Sequence, residues 1–217
     1  MDKIKVLNLY AGIGGNRKLW GNVDVTAVEF NSKIAKIYQD FFPDDKVIVA
    51  DAHQYLLEHY KEFDFIWSSP PCQSHSRARL WGWKNDERVK KLYPDMKLYE
   101  EIIFLENFCQ CKYVVENVAG YYKPLIEPQK IGRHYFWSNF IISNIKHNKS
   151  DINRGTIKSW ESQIGLSLTD KNIGQRKDRI LRNCTEPELG YHIFNCAYPD
   201  GIITLKDFTK QLTMAGI

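Results

Sequence analysis

The sequence predicts an α/β fold, a three-layer sandwich built on a mostly parallel, Rossmann-like sheet. Two observations predict it. Short apolar runs rich in Val and Ile alternate with segments of helical spacing through the first 140 residues, and a glycine loop, "AGIGG" at 11–15, follows the first of these runs. Alternation of this kind produces right-handed crossovers, so the strands lie parallel and helices cover both faces of the sheet.

The predicted strands are short and almost continuously apolar, as expected of strands that are buried on both faces. They span 4–10, 23–30, 46–50, 63–69 and 112–117. The segments between them that have helical spacing span 31–42, 52–60 and 95–111, with Asn31, Asp51 and Asp95 as predicted N-caps.

Two further helices are predicted outside this alternation. "NRKLW" is expected to form a short helix directly after the glycine loop, and 186–198 reads as a helix with Pro187 in its first turn. Elsewhere beyond residue 140 the pattern weakens to loops and short helices. We therefore predict a catalytic, cofactor-binding domain at 1–145 and a short, mainly helical extension at 146–217, which could pack on the same domain.

Composition places the chain among soluble proteins of a reducing compartment. No stretch approaches the ~18 uncharged apolar residues of a membrane span, and the N-terminus lacks the pattern of a secretory signal. Five cysteines without framework spacing suggest free thiols. We expect a cytoplasmic protein and no membrane partner.

Charge is locally concentrated although the net charge is only +4. Residues 77–91 and 171–182 are both rich in Lys and Arg. Such segments neutralise phosphates in nucleic-acid-binding proteins, and they also occur as ordinary solvated helix faces. Either interpretation is open for each segment taken alone.

Candidate functional residues follow the predicted strands one after another. Ligands of open α/β sheets bind beyond the carboxyl ends of the strands. At those ends the sequence places the glycine loop and four side chains, namely Glu29, Asp51, Cys72 and Glu116. Five such coincidences are hard to attribute to packing.

The first three of these features point to an adenosine-type cofactor. A glycine loop lets the backbone approach a ligand closely, Glu29 is placed to hold ribose hydroxyls, and Asp51 is placed to bind an adenine edge. Taken alone, the glycines are also compatible with an ordinary tight turn. The spacing differs from G-x-G-x-x-G, which argues against NAD.

Cys72 is a candidate nucleophile. Pro70 and Pro71 fix the backbone as the chain leaves its strand, and with Gln73 they would hold the thiol on a rigid turn. The alternative is a small buried hydrophobic side chain, the usual role of a free cysteine. We apply that interpretation to the other cysteines, and because Cys-x-Cys is not usual zinc spacing, we predict no metal site.

Glu116 and Asn117 end a strand that is expected to neighbour the strand before Cys72. A partly buried carboxyl at that place can donate or share a proton, although a capping or ion-paired glutamate would look the same in the sequence.

Together the segments "NLYAGIGG", "AVEFNSKIAKIYQDFFP", "ADAH", "SSPPCQSHSRAR" and "VVENVAGY" resemble, in order and spacing, the motifs of S-adenosylmethionine-dependent DNA cytosine-5 methyltransferases. The resemblance covers roughly residues 4–140. It implies a sheet of the class I methyltransferase type, S-adenosylmethionine as cofactor, S-adenosylhomocysteine as product, and double-stranded DNA with a flipped cytosine as substrate. It implies cofactor contacts from Tyr10, Ala11, Gly12, Ile13, Gly14, Gly15, Glu29, Phe30, Asp51, Ala52, Pro70 and Leu98.

The same resemblance implies the catalytic roles. Cys72 would attack cytosine C6, Glu116 would grip N3 and the exocyclic amine, and Arg133 would contact O2. The implied substrate contacts are Gln73, Ser76, Arg77, Arg79 and Asn117, and residues 74–91 would be the loop that closes behind the flipped base.

The sequence departs from the family pattern in several places. Asn8 replaces an aspartate common in the glycine-loop motif, "TMAGI" does not supply the usual Gly-Asn motif, and the arginine motif appears only as "IGRHYFWSN". The tail after residue 140 is too short for a full target-recognition region. These departures suggest a compact, phage-like member that uses 171–182 as a minimal DNA contact, or one completed by a second copy or a second subunit.

Two other functions remain open at this point. One is an RNA cytosine-5 methyltransferase, since a transfer RNA enzyme shares this fold together with the same cysteine and glutamate. The other is a noncatalytic, partner-dependent nucleic-acid-binding subunit.

Overall fold

The computed structural model describes residues 2–86, 90, 92–145, 155–171, 173 and 176–199. Its strands are β1 (Ile4–Leu9), β2 (Val23–Val28), β3 (Lys46–Ile48), β4 (Phe65–Ser68), β5 (Lys112–Val118), β6 (Gln129–Ile131) and β7 (His134–Ser138). They form one sheet in the order β3-β2-β1-β4-β5-β7-β6.

The helices within this part of the chain are α1 (Ser32–Phe41), α2 (Ala52–His59), α3 (Arg77–Asn85), α4 (Lys97–Phe108), α5 (Ile157–Ile164), α6 (Lys177–Arg182) and α7 (Pro187–Ala197). A single 3₁₀ turn, Tyr60–Glu62, follows α2. The predicted caps of α1 and α2 are confirmed, because the side chains of Asn31 and Asp51 accept hydrogen bonds from the first backbone N–H groups.

The sheet is parallel from β3 to β5, and its register brings three strand ends to one edge. Leu9 pairs with Ser68, and Ser68 pairs with Val115. The chain segments that leave β1, β4 and β5 are therefore neighbours. Only β7, which runs antiparallel to both β5 and β6, departs from the parallel arrangement.

Helices cover both faces, so the predicted three-layer fold is confirmed. On one face, α2 and α4 bury Leu56 and Leu105 against Leu7 of β1 and its neighbours. On the other face, α7 packs against Phe65 and Trp67 of β4. Because side chains alternate between the two faces of a strand, this double burial accounts for the almost continuously apolar strand sequences.

The described part of the C-terminal extension shares its core with the sheet. The ring of Phe194 in α7 stacks on Trp20 with 5.3 Å between centroids. Helices α5 and α6 contribute Ile164 and Ile180 to a cluster that includes Ile37 of α1. The division at residue 145 remains a prediction, and residues 200–217, with the "TMAGI" segment, lie outside the described residues.

The helix predicted after the glycine loop is wrong. "NRKLW" forms successive turns rather than a helix, with N–H groups bonded to carbonyls three residues back. The Asn16 side chain bonds to Asn8, and the Asn16 backbone is packed so tightly against Gly190 that a Cβ there would lie 2.4 Å from the Asn16 carbonyl oxygen. These contacts hold the segment in its irregular path.

The predicted closing loop, 74–91, contains α3. Ser76 begins this helix, since its hydroxyl accepts a hydrogen bond from the N–H of Ala78 at 3.2 Å. Residues 87–89 and 91 lie outside the described residues.

The cysteine prediction also needs correction. The structure joins Cys109 and Cys111, predicted as free thiols, in a disulfide. Helix α4 ends at Phe108, three residues earlier than predicted, and the extended chain beyond it places the two Cα atoms 5.4 Å apart, within the range of a disulfide. The cysteine count therefore gives no support to a reducing compartment.

None of the helices within the described residues is both long and apolar enough to cross a membrane.

Candidate active site

The glycine loop leaves β1 in a backbone conformation that few residues adopt. Gly12 and Gly14 have φ angles of +55° and +82°, and Tyr10 has a φ of +55° although it carries a side chain. Such angles strain a residue with a Cβ and concentrate at functional sites. No heavy atom lies within 4 Å of the point where a Cβ of Gly12 would stand, so the loop borders open space there.

Glu29 at the end of β2 is tied to this loop. One carboxylate oxygen accepts the N–H of Gly12 at 3.1 Å, and the other accepts the N–H of Asn31 at 2.8 Å. Each oxygen retains a lone pair for a further donor, as a ribose hydroxyl would require. Phe30, which follows, is 78% exposed. An exposed aromatic ring beside an acidic side chain and a glycine loop suits an adenosine group.

The other residues predicted to contact a cofactor divide by exposure. Asp51 is exposed, although one of its oxygens caps α2. The buried ones are Ala11, Ile13, Gly14 and Gly15 within the loop and Ala52, Pro70 and Leu98 outside it.

A buried carboxylate that sequence reasoning missed supports the loop from below. Glu101 of α4 is fully buried, and its two oxygens accept the Tyr10 hydroxyl at 2.5 Å and the Ser68 hydroxyl at 2.6 Å. Nδ1 of His53 lies 3.0 Å from the oxygen that Tyr10 contacts. The hydrogen bond that the Glu101 carboxylate accepts from the His53 ring raises the pKa of His53, and the burial of His53 opposes this rise to a smaller extent. Glu101 therefore links the glycine loop to the end of β4.

Cys72 stands on a turn fixed by backbone hydrogen bonds. Its carbonyl accepts the N–H groups of His75 at 3.1 Å and Ser76 at 3.0 Å. The amide of Asn117 donates to the Pro70 carbonyl at 3.0 Å, which fastens the turn to β5. The predicted turn nucleophile is thus placed where β4 and β5 end side by side. Asn117, predicted as a substrate contact, is 2% exposed and bonds to this turn, and its contact with substrate stays a prediction.

The electrostatic surroundings of Cys72 contain charges of both signs. Burial raises the pKa of the half-buried thiol, and the Glu116 carboxylate raises it further, whereas Arg133 and Arg179 lower it. The predicted nucleophile, carboxylate and arginine are therefore close enough to influence one another electrostatically. The same interactions also add Arg179 of α6, whose role the sequence indicated only as part of the basic 171–182 segment.

The Glu116 carboxylate is 9% exposed and surrounded by polar groups. One oxygen, Oε2, accepts the hydroxyl of Ser69 at 2.8 Å and that of Thr185 at 2.7 Å. The other, Oε1, lies 3.6 Å from Nε2 of His134. Sequence reasoning missed these three partners. Ser69 directly precedes the two prolines and His134 follows Arg133, but nothing local in the sequence marks Thr185.

The predicted substrate contacts flank the Cys72 turn. Gln73 and Arg77 are exposed, and Nε of Arg77 donates to the Gly120 carbonyl at 3.1 Å. Arg79 donates to the Lys90 carbonyl at 2.9 Å. The bond of Arg77 holds α3 against the segment after β5, and the bond of Arg79 ties α3 to the chain that leads towards α4. The side chain of Trp81, 68% exposed, projects from the same helix.

Comparison with known proteins gives a consistent result. The family model of C-5 cytosine-specific DNA methylases matches residues 4–125. A human tRNA (cytosine(38)-C(5))-methyltransferase is 28% identical over 128 residues, which cover 56% of this chain and 32% of that protein. Type II methyltransferase M.FnuDI of Fusobacterium nucleatum is 31% identical over 121 residues, which cover 54% of this chain and 33% of that protein.

Among solved structures, that of Spodoptera frugiperda DNMT2 superposes with a TM-score of 0.38 and 24% identity over 55% of this chain and 37% of that one. The chain spans about one third of the length of the curated relatives it matches.

Proposed function

Because the chain belongs to the C-5 cytosine-specific DNA methylase family, we propose that it transfers a methyl group from S-adenosylmethionine to C5 of cytosine in DNA. The observation that carries the proposal is the placement of Cys72 just beyond the end of β4 and of Glu116 in the adjacent parallel strand β5, one residue past the partner of Ser68. The two side chains interact electrostatically. A nucleophile and a carboxyl in this relation can attack and polarise the same planar ring.

The cofactor would lie over the glycine loop. The open space in front of Gly12, the paired hydrogen bonds on Glu29 and the exposed ring of Phe30 fit an adenosine group. When bound, S-adenosylmethionine supplies an electrophilic methyl group on a sulfonium. Tyr10, held by Glu101, would form the part of the wall nearest the end of β4.

Cys72 and Glu116 would act on the cytosine ring in concert. Attack of the thiolate on C6 forms a carbon–sulfur bond and places an electron pair on C5, which can then take a methyl group. A proton on Glu116 hydrogen-bonded to N3 stabilises the charge that develops during the attack. After methylation, loss of the C5 proton restores the double bond and expels the thiolate of Cys72.

The raised pKa of Cys72 bears on this step. In the free protein the thiol is largely protonated at neutral pH, because burial and Glu116 both disfavour the thiolate. Arg133 and Arg179 oppose these effects. We expect the thiol to lose its proton to solvent once substrate is bound, because a proton held between Glu116 and N3 of the base neutralises the carboxylate charge that disfavours the thiolate.

Basic side chains on both flanks of the site suit a nucleic-acid backbone. Arg77 projects from α3 on one flank, and Arg179 and Arg182 are exposed on α6 on the other. The guanidinium of Arg133 lies 3.5 Å from the Arg182 carbonyl, which places β7 and α6 together. Arginines around a flipped base would neutralise the phosphates of its own strand.

RNA is the second candidate substrate, because five of the similar curated proteins are named tRNA (cytosine(38)-C(5))-methyltransferases. The chemistry of Cys72 and Glu116 would be the same on either polymer. The substrate must therefore be decided by experiment.

The test measures transfer of a tritiated methyl group from S-adenosylmethionine to duplex DNA and, separately, to unmodified tRNA. We expect incorporation into DNA at C5 of cytosine and none with Cys72→Ala. Incorporation into tRNA alone would reassign the substrate, and incorporation that survives Cys72→Ala would contradict the mechanism.

A further inference from the structure

The two oxygens of the Glu116 carboxylate have different surroundings. Oε2 accepts two hydroxyl hydrogen bonds, at 2.8 Å from Ser69 and 2.7 Å from Thr185. Oε1 accepts none from any residue that the structure describes, and it lies 3.6 Å from Nε2 of His134. Oε2 thus carries two hydrogen bonds, whereas Oε1 has only the His134 ring as a polar neighbour among the described residues.

The two hydroxyls reach Glu116 from opposite parts of the chain. Ser69 leaves β4, and its oxygen accepts the indole N–H of Trp67 at 2.8 Å, so its own proton is directed to Glu116. Thr185 lies between α6 and α7, outside the residues matched by the family model, and is 7% exposed. A hydroxyl this deeply buried requires an acceptor, which the carboxylate supplies.

Two donors on one oxygen also determine where a proton on Glu116 can reside. An oxygen that already accepts two hydroxyl protons is a poor site for a third. A proton on this carboxyl is therefore carried by Oε1.

We propose that Thr185, together with Ser69, is a positioning residue that fixes the plane of the Glu116 carboxyl and makes Oε1 the atom presented to the cytosine. The proposal rests on the proposed function. As the sulfur–C6 bond forms, the proton of Oε1 is shared with ring N3, and it returns to Oε1 when that bond breaks. Removing the Thr185 hydroxyl would let the carboxyl rotate and would slow this exchange.

A purely structural role for Thr185 makes a different prediction. Its carbonyl oxygen packs against the glycine loop, where a Cβ at Gly15 would lie 2.4 Å away. The residue could therefore matter only as a packing element. In that case its methyl group would matter as much as its hydroxyl, and the chemical step would not respond selectively to either.

Thr185→Val and Thr185→Ser separate these roles. Valine keeps the shape and loses the hydroxyl, whereas serine keeps the hydroxyl and loses the methyl group. We expect Thr185→Val to lower the single-turnover rate of methyl transfer about tenfold and to leave KM for S-adenosylmethionine unchanged. A tenfold loss of rate corresponds to the free energy of about one hydrogen bond to a charged group. Thr185→Ser should stay within about threefold of the wild type, since it keeps that bond.

A second measurement reports on the carboxyl itself. The protein is labelled with ¹³C at its glutamate carboxyls, and the resonance of Glu116 is assigned by its loss in Glu116→Gln. We expect this resonance to shift in Thr185→Val and to stay in place in Thr185→Ser. Equal rates and equal resonances in the two variants would overturn the proposal.

Failure of the proposed function gives a distinct result. If wild-type protein methylates neither DNA nor tRNA, the proposed function is contradicted. The resonance of Glu116 then tests the positioning role of Thr185 separately. A shift in Thr185→Val but not in Thr185→Ser supports that role, and the absence of a shift overturns it. Should Thr185→Val not fold, Ser69→Ala removes the other hydroxyl from the same oxygen, and we expect it to shift the resonance and slow transfer in the same way.

Discussion

Replacing the buried Glu101 with glutamine tests whether this side chain supports the glycine loop. In the wild type, the hydroxyls of Tyr10 and Ser68 each donate to a different oxygen of Glu101. The side chain of glutamine has only one oxygen, so one of the two hydroxyls, that of Tyr10 or that of Ser68, loses its acceptor and faces an amide N–H donor. Because hydrogen bonds to charged groups contribute roughly 1.5–3 kcal/mol each, Glu101→Gln should lower the free energy of unfolding by about that amount.

Urea denaturation followed by tryptophan fluorescence measures this change, since the chain contains six tryptophans. A loss of roughly 1.5–3 kcal/mol corresponds to about 3–12 °C in Tm for a chain of this size. The matched control is Glu100→Gln. Its side chain is 61% exposed and lies 3.5 Å from the other ring nitrogen of His53, so we expect a change of about 0.5 kcal/mol or less. Equal losses of stability in the two variants would show that the buried Glu101 carboxylate does not support the glycine loop.

The same variant has a pH signature. Glu101 raises the pKa of His53 in the folded protein, so the stability from this pair is present below the ordinary histidine pKa and is lost as pH rises through the raised value. The wild type should therefore exceed Glu101→Gln in stability by more at about pH 6 than at about pH 8.5. A stability difference independent of pH would show that the His53 interaction contributes nothing.

Three further predictions concern the site itself. Arg179→Ala should weaken binding to duplex DNA, as measured by fluorescence anisotropy. The slope of log affinity against log salt concentration should become shallower by about 0.9, which is the effect of losing one phosphate contact, and an unchanged slope would exclude that contact. Gly15→Ala should lower the free energy of unfolding by about 1–3 kcal/mol, because its Cβ would lie 2.4 Å from the Thr185 carbonyl oxygen; a wild-type urea midpoint would contradict this packing. Glu116→Gln should lower the pKa of Cys72 and so speed its alkylation by iodoacetamide at neutral pH; slower alkylation would mean that Glu116 does not disfavour the thiolate.

The parallel core of the fold was predictable because its signals are local. Continuous apolar runs mark buried strands, and the caps at Asn31 and Asp51 mark the helices between them. The hairpin β6–β7 was missed because its strands are short and lie beyond the alternating pattern. Gly132, with φ +57° in its two-residue loop, was the available signal for that hairpin.

Individual site residues were predictable where the chain order itself places them at strand ends. Cys72 follows β4, and Glu116 lies in β5 one residue past the partner of the last residue of β4, so their proximity follows from the topology. Glu101 carried a weaker signal, a charge within the stripe of apolar residues that α4 buries. Thr185 carried none, because its contact with Glu116 depends on how α6 and α7 pack against the sheet, and no local pattern encodes that packing.

In the proposed mechanism, Cys72 forms a covalent bond to cytosine. Incubation with S-adenosylmethionine and a DNA duplex carrying 5-fluorocytosine tests for that bond, because the fluorine at C5 cannot leave as a proton does and the carbon–sulfur bond is therefore retained. We predict a denaturation-resistant complex whose attachment maps by mass spectrometry to Cys72 and which is absent with Cys72→Ala. Attachment at another residue, or no complex with either DNA or RNA carrying the analogue, would contradict the account.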